Sequence, residues 1–365
     1  MLITSTSPSK VVNEIKIHVK KDAALISVGE KTNINIPELI SVLIKEEVQF
    51  IGGIFPKILH DNTISDKGIV INTLKNVDHL TLITNISSGE FNIPKVNFDK
   101  NDDYSLVTYV DGLTSNISTY LNALYENYGM KTNYFGGGAG SLSLKQKPCV
   151  FCKDGFFQDA AVICLMKMTS NIGVKHGWQK LDGPLIITKA NKNTIQEINW
   201  KNPLESYKFI VEKDADIRFN NDNFFDIAKG YPFGIVKSDG ECVIRDPLMT
   251  DGNGNLICAG EIKENTMVNI MKGENDSLIN AAALAAEESS NNSTNPKKAI
   301  IIDCISRVLF LEDNFQKELD SINMVLKSKY PEISIGGALT IGEISSYGNG
   351  YLELYNKTCV VGLFE

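Results

Sequence analysis

The sequence predicts an α/β (α+β) fold, with mixed β-sheets, helices packed outside them and two related domains. Three observations predict it. Runs rich in β-branched residues alternate with apolar stripes of helical period. Three glycine pairs each follow an apolar residue: FIGG at 50–53, YFGGG at 134–138 and SIGG at 334–337. Finally, 43% hydrophobic residues permit sizeable cores, and 22% charged residues with few long polar runs exclude wholesale disorder.

Taken in order, AALISV (23–28), GIVINTL (68–74), HLTLITNI (79–86) and SLVTYV (105–110) read as strands, and 87–105 reads as loop. Ile117, Leu121 and Leu124 give the next segment one apolar face, and Gly129 supplies its stop. Residues 148–166 read as two strands around a turn at Lys153-Asp154-Gly155, and β character continues through 176–200. NPLESYKFIVEK (202–213) reads as a helix capped by Asn202, with Pro203 in its first turn. Composition then turns polar, which places a boundary near 215 and gives domains 1–215 and 216–365.

The second part opens on a meander with turns at Asp239-Gly240 and Asp251-Gly252. A helix follows at 276–290, capped by Asp276 or Ser277, and AIIIDCIS (299–306) reads as a buried strand. Phe315, Leu319, Ile322 and Leu326 mark a long helix, and YLELY and TCVVGLF a final β pair. Helix, short strand, glycine turn and a Cys-Val strand recur in both halves, as in an internal duplication. A phosphate loop runs from strand through glycines to helix; here the helix comes first. The glycines are therefore read as tight packing or as turns lining a small-ligand pocket.

Net charge of -8 disfavours nucleic acid and anionic membranes as partners. The strongest apolar run, AAVICLMKM at 160–168, is too short to span a bilayer, and the amino terminus lacks the pattern of a secretory signal. Seven scattered cysteines fit a reducing, cytoplasmic compartment. The CxxC of Cys149 and Cys152 lies on a strand, which suits core thiols better than a disulfide. DGNGN at 251–255 lacks the later glycine and glutamate of a calcium loop and is read as a hairpin turn. Four scattered histidines offer no metal cluster, and no GxSxG, HExxH or cofactor fingerprint occurs. No catalytic residue, metal or cofactor is assigned.

The phrases GGGAGS, HGW (176–178), YPFG (231–234), VIRDPL (243–248), DCISR (303–307), GGALTIGEI (336–344) and NKTCVV (356–361) occur in this order. As an ordered set they resemble the FIST family (F-box and intracellular signal transduction), over about residues 20–364. The resemblance implies tandem FIST N-terminal and C-terminal modules and intracellular sensing of a small ligand such as an amino acid. It also implies a signalling partner such as a histidine kinase. The alternatives are an interaction scaffold for a two-component partner and an uncharacterised enzyme.

The candidate ligand residues follow. Arg307, after a buried strand, has the fork that clamps a carboxylate. Glu343 suits an ammonium group, and N–H groups of a turn at Gly336-Gly337 would support the carboxylate. These are expected to share one pocket with Cys304. The competing reading is that Arg307 and Glu343 simply pair with each other. Arg245, His176, Trp178 and the second glycine turn, Gly137-Gly138, are further candidates; the structural readings beside them include an internal ion pair for Arg245 and a core filler for Trp178.

Overall fold

The computed structural model describes residues 1–96, 102–220, 222–237, 242–346 and 352–365. The α/β expectation holds: helices lie against several mixed sheets, none of them closed. The turn expected at Asp239-Gly240 lies outside the described residues.

The glycines are not in turns. Gly52-Gly53, Gly136-Gly137-Gly138 and Gly336-Gly337 all lie inside strands: Phe50–Phe55, Thr132–Ala139 and Ser334–Thr340. Each strand runs parallel to the one before it, across an intervening helix: Ala23–Gly29, Tyr104–Asp111 and Lys298–Cys304. A third strand lies antiparallel on the far side of each pair: Ile69–Leu74, Ala160–Met166 and Cys359–Phe364. The unit thus occurs three times, where the sequence showed two copies.

The three units exchange hairpins. Lys57–His60, which follows the first glycine strand, pairs with the third, setting Leu59 opposite Gly337. Glu343–Ser346, which follows the third, pairs with the second, setting Glu343 opposite Gly137. Val150–Cys152, which follows the second, pairs with the first, setting Val150 opposite Gly53. Each incoming strand is turned back by a short antiparallel partner. Strands from both sides of residue 215 therefore share sheets.

This exchange explains the bare backbone. At Gly137, a Cβ would lie 2.7 Å from Thr340 Cγ2 and 2.9 Å from Ile302 Cγ2, both in the third unit. At Gly138 it would overlap the Ile341 carbonyl. The glycines let sheets meet at backbone distance.

Between the sheets lies a central core to which all three contribute, including Leu25, Phe55, Tyr109, Phe135, Ile302 and Val360. Strands covered on both faces must be apolar throughout, hence the continuous runs. Helices cover the outer faces. Pro8–Val19, unforeseen in the sequence, and Ile36–Lys45 cover the first sheet. Ile117–Tyr128 covers the second and stops at Gly129, whose φ is 72°. Asn275–Ser290 and Phe315–Lys329 cover the third, with the Phe315 stripe buried as expected.

Smaller differences have local causes. The helix Asn275–Ser290 starts one residue early, with Glu274 at its N-cap. Residues 148–166 hold three strands, because Gly155–Phe157 folds back on Val150–Cys152. YLELY and TCVVGLF are in different sheets, since Leu352–Tyr355 stays with its own hairpin.

A fourth, seven-stranded sheet is antiparallel throughout and carries the helices Pro203–Ala215 and Phe224–Ala228. Asn202 caps the former, accepting from Glu205 N–H at 3.1 Å. The DGNGN turn belongs to this sheet. Asp251 spends its carboxylate on Asn253 N–H, Asn255 N–H and Asn255 Nδ2 at 2.7–2.9 Å, which holds a hairpin. No helix among the described residues is long and apolar enough to cross a membrane, and all seven cysteines are free.

Candidate ligand site

Where the first parallel strand of the third unit ends, the chain turns into the helix Ile305–Leu311. Arg307 lies there with 0% exposure. Its Nε and Nη2 donate to the two oxygens of Glu318 at 2.9 and 2.7 Å. Nη1 donates to the carbonyls of His176 (2.6 Å) and Lys357 (3.2 Å), and Nη2 also to that of Leu278 (2.9 Å). Asp303 is 3.3 Å away. All five N–H groups of the guanidinium are thereby used. The expected clamp has its donors filled from within, and its partner is Glu318 rather than Glu343. Asp303, Glu318 and Cys359 bring three ligand-type atoms within 4.8 Å of one another, and Arg307 is the cation among them.

Glu343, also wholly buried, accepts from Thr340 Oγ1 at 3.0 Å and from Thr358 N–H at 3.2 Å. Burial pushes its carboxyl up to about 8, against the pull of hydrogen bonds from Thr340, the Cys304 thiol and Thr358 N–H. An acid raised on folding binds its proton more tightly in the folded chain. Stability from this group is therefore fullest below about 4.5 and falls as pH rises toward about 8. Glu343→Gln should flatten that fall. Urea midpoints measured at about pH 5 and about pH 8.5 should lie closer together than in the parent, and an equal drop in both proteins would contradict it. Asp246 and Asp303, raised first by burial, keep part of the slope.

The remaining candidates pack around this network. Trp178 donates from Nε1 to the Lys357 carbonyl at 3.1 Å, and Lys357 Nζ stands 4.9 Å from its ring centre. Lys357 pairs with Asp246 at 3.1 Å, and Asp246 accepts from Ser306 at 2.8 Å. His176 Nδ1 accepts from Trp178 N–H at 2.9 Å; burial, then Arg307 and Lys175, lower its pKa to about 4. Cys304 is buried, its thiol pushed well up first by burial and then by Glu343. Gly336 and Gly337 lie in a strand paired on both sides. The phrases HGW, VIRDPL, DCISR and NKTC thus meet in one buried polar node.

The equivalent strand end in the second unit is open. After Asp111 the chain leaves Tyr104–Asp111 and enters the helix Ile117–Tyr128, and a cleft of about 310 Å³ lies in front of it. Gly112, Thr114 and Ser118 come from this unit, and Ile341 and Asn356 from the third. Lys192, Leu248, Met249 and Glu261 come from the fourth sheet. Ligands of open α/β sheets bind at such carboxyl ends. The segment that brings Ile341 here lies on Gly138: Ile341 N–H donates to the Gly138 carbonyl at 2.9 Å, and Gly138 N–H to that of Gly342 at 2.8 Å.

Three features give this cleft a chemistry. Asn356 is 4% exposed, and among the described residues its Oδ1 has no hydrogen-bond partner. Glu261 Oε1 accepts from Asn116 N–H at 3.0 Å. The helix starting at Ile117 has no side-chain cap for its first-turn N–H groups, and its first residues, Ile117 and Ser118, line the cleft.

A second cleft of about 310 Å³ shares Ser118, Glu261 and Leu354 with the first and is lined by Arg245. Of the ten sequence candidates, Arg245 alone borders either cleft. Sequence reasoning missed Asn356 and Glu261. Asn356 stood in the NKTC phrase, yet nothing in the sequence told it from its neighbours.

No curated protein matches the chain. Family models match it over nearly its whole described length: the FIST N domain over residues 5–201 and the FIST C domain over residues 203–346. With the first covering more than half of the chain and the second following directly, this protein belongs to the FIST family.

Proposed function

We propose that this chain is an intracellular sensor that holds a small zwitterion, an amino acid, in the first cleft and reports to a separate signalling protein such as a histidine kinase. FIST domains are sensory domains of signal transduction, which supplies the class of function. The observation that carries the ligand reading is the unpaired, buried Oδ1 of Asn356 on the cleft wall. A buried acceptor without a donor costs free energy, and a ligand N–H relieves it. An ammonium group set between Asn356 and Glu261 fills that need. The carboxylate then meets the first-turn N–H groups of the helix and Lys192. Leu248, Met249 and Ile341 offer an apolar wall for the ligand's side chain. The free cysteines accord with a reducing compartment.

The test is a thermal-shift screen of amino acids against sugars and nucleosides, followed by calorimetry on Asn356→Ala. Binding to the native state raises its melting temperature. Asn356→Ala should weaken the best ligand about tenfold or more, about 1.4 kcal/mol, while leaving the ligand-free protein no less stable. A variant that binds as tightly as the parent, or a screen in which no amino acid shifts the melt, refutes the reading.

A further inference from the structure

Arg245 is the best-placed charged group not used so far. It ends the strand Cys242–Arg245 and is 4% exposed. Its Nε donates to the Glu261 carbonyl at 2.8 Å, and its Nη1 to the carbonyls of Ile244 (3.0 Å) and Leu354 (2.9 Å). These bonds fix the guanidinium where the fourth sheet meets the hairpin of the third unit. They do not neutralise it. Among the described residues, no carboxylate forms an ion pair with Arg245, and Nη2 has no hydrogen-bond partner. The two acids on the same cleft wall, Glu353 and Glu261, act on Arg245 through space but form no ion pair with it: Glu353 pairs with Lys237, and Glu261 takes the Asn116 N–H.

A buried cation without a counter-charge is costly, and proteins pair such charges. Here no carboxylate among the described residues pairs directly with Arg245, while a cleft of about 310 Å³ opens beside it with Lys237 and Lys263 on its wall. We propose that this second cleft is an oxyanion site, in which Arg245 takes a carboxylate or phosphate group of a small molecule and Lys263 adds long-range attraction. The chemistry is that of a charged donor: Nε and Nη1 are spent on carbonyls, and the Nη2 N–H groups remain to donate to an oxyanion. Charge balance supports it: with Lys237 and Glu353 paired, Arg245 and Lys263 outnumber Glu261. The site adjoins the amino-acid cleft, with Ser118, Glu261 and Leu354 lining both. It lies on the other side of Glu261 and Leu354 and uses neither Asn356 nor Lys192.

The test titrates the whole chain with inorganic phosphate and with succinate, against chloride at constant ionic strength, read by calorimetry and by amide shifts in NMR. One or both anions should bind, with shifts gathered around Arg245, Thr266 and Leu354. Arg245→Met should abolish binding. Lys263→Gln, an exposed position whose change leaves the fold intact, should weaken it several-fold. Lys192→Gln, in the first cleft, should leave it unchanged. Phosphate binding above succinate would assign a phosphorylated ligand, and the reverse order a carboxylate. If Arg245→Met does not fold, Lys263→Gln and the shift map decide. No binding of either anion by the parent up to about 20 mM, well above the micromolar-to-millimolar range of functional ligands, overturns the proposal. So does binding lost in Lys192→Gln but kept in Lys263→Gln, which would move the anion to the first cleft.

Discussion

Arg307→Met should cost about 3–5 kcal/mol of stability, the usual loss when one member of a buried ion pair is removed. Glu318 would keep a buried negative charge with no cation, and the carbonyls of His176, Lys357 and Leu278 would each lose a donor. Asp303 cannot absorb the change. Burial and then Glu318 already hold its carboxyl well above the usual range, and its Oδ2 has no partner among the described residues. Removing Glu318 as well should return part of the loss, because an apolar pair in a closed site does not carry the desolvation penalty. The measurement is urea unfolding at neutral pH for the parent, Arg307→Met and the Arg307→Met, Glu318→Met double variant. A single-variant loss below about 1 kcal/mol, typical of surface changes, would show that Arg307 is free to serve a ligand. A double variant worse than the single one would refute the charge argument.

The next largest effect is expected at Gly138. An added Cβ would land on the Ile341 carbonyl and within 2.9 Å of Gly112 Cα, and both neighbours are backbone. Backbone cannot rotate away as a side chain can, so the strands must part. Gly138→Ala should lose about 1–3 kcal/mol, the range for overpacking. It should also disturb the first cleft, since Ile341 lies on its wall. Gly252→Ala is the control. A Cβ there meets nothing within 4 Å, and the backbone is not left-handed. Its melting temperature should match the parent's. Equal melting temperatures for the two variants would mean that the third unit does not rest on the second through these glycines.

Much of this was legible in the chain. The β-branched runs became strands because covered strands tolerate no polar side chains. The Phe315, Leu319, Ile322 and Leu326 stripe became a buried helix face, and Gly129 ended its helix. The three glycine pairs did mark a repeated device. The phrases HGW, VIRDPL, DCISR and NKTC pointed to residues that meet in one place. By local pattern the sequence determined most of the strands and helices, and that the phrases around Arg307 and Glu343 follow apolar strands.

Only the tertiary structure decided what those residues do. Arg307 was expected to face a ligand beside Glu343, but its partner Glu318 comes from a helix eleven residues on and its carbonyl acceptors from three other segments. Whether the five N–H groups of a guanidinium are spent depends on carbonyls brought in from far along the chain, and local period carries no record of them. The same holds for the hairpin exchange. A strand that leaves its own sheet has the same alternation as one that stays, so sequence could show glycines behind apolar residues but not which backbone would press on them. The open cleft arises where the second unit, a loop of the third and the fourth sheet fail to fill a space. An empty volume is a property of several segments together. Asn356 acquires its meaning there, as an amide with no partner, only once those segments have met.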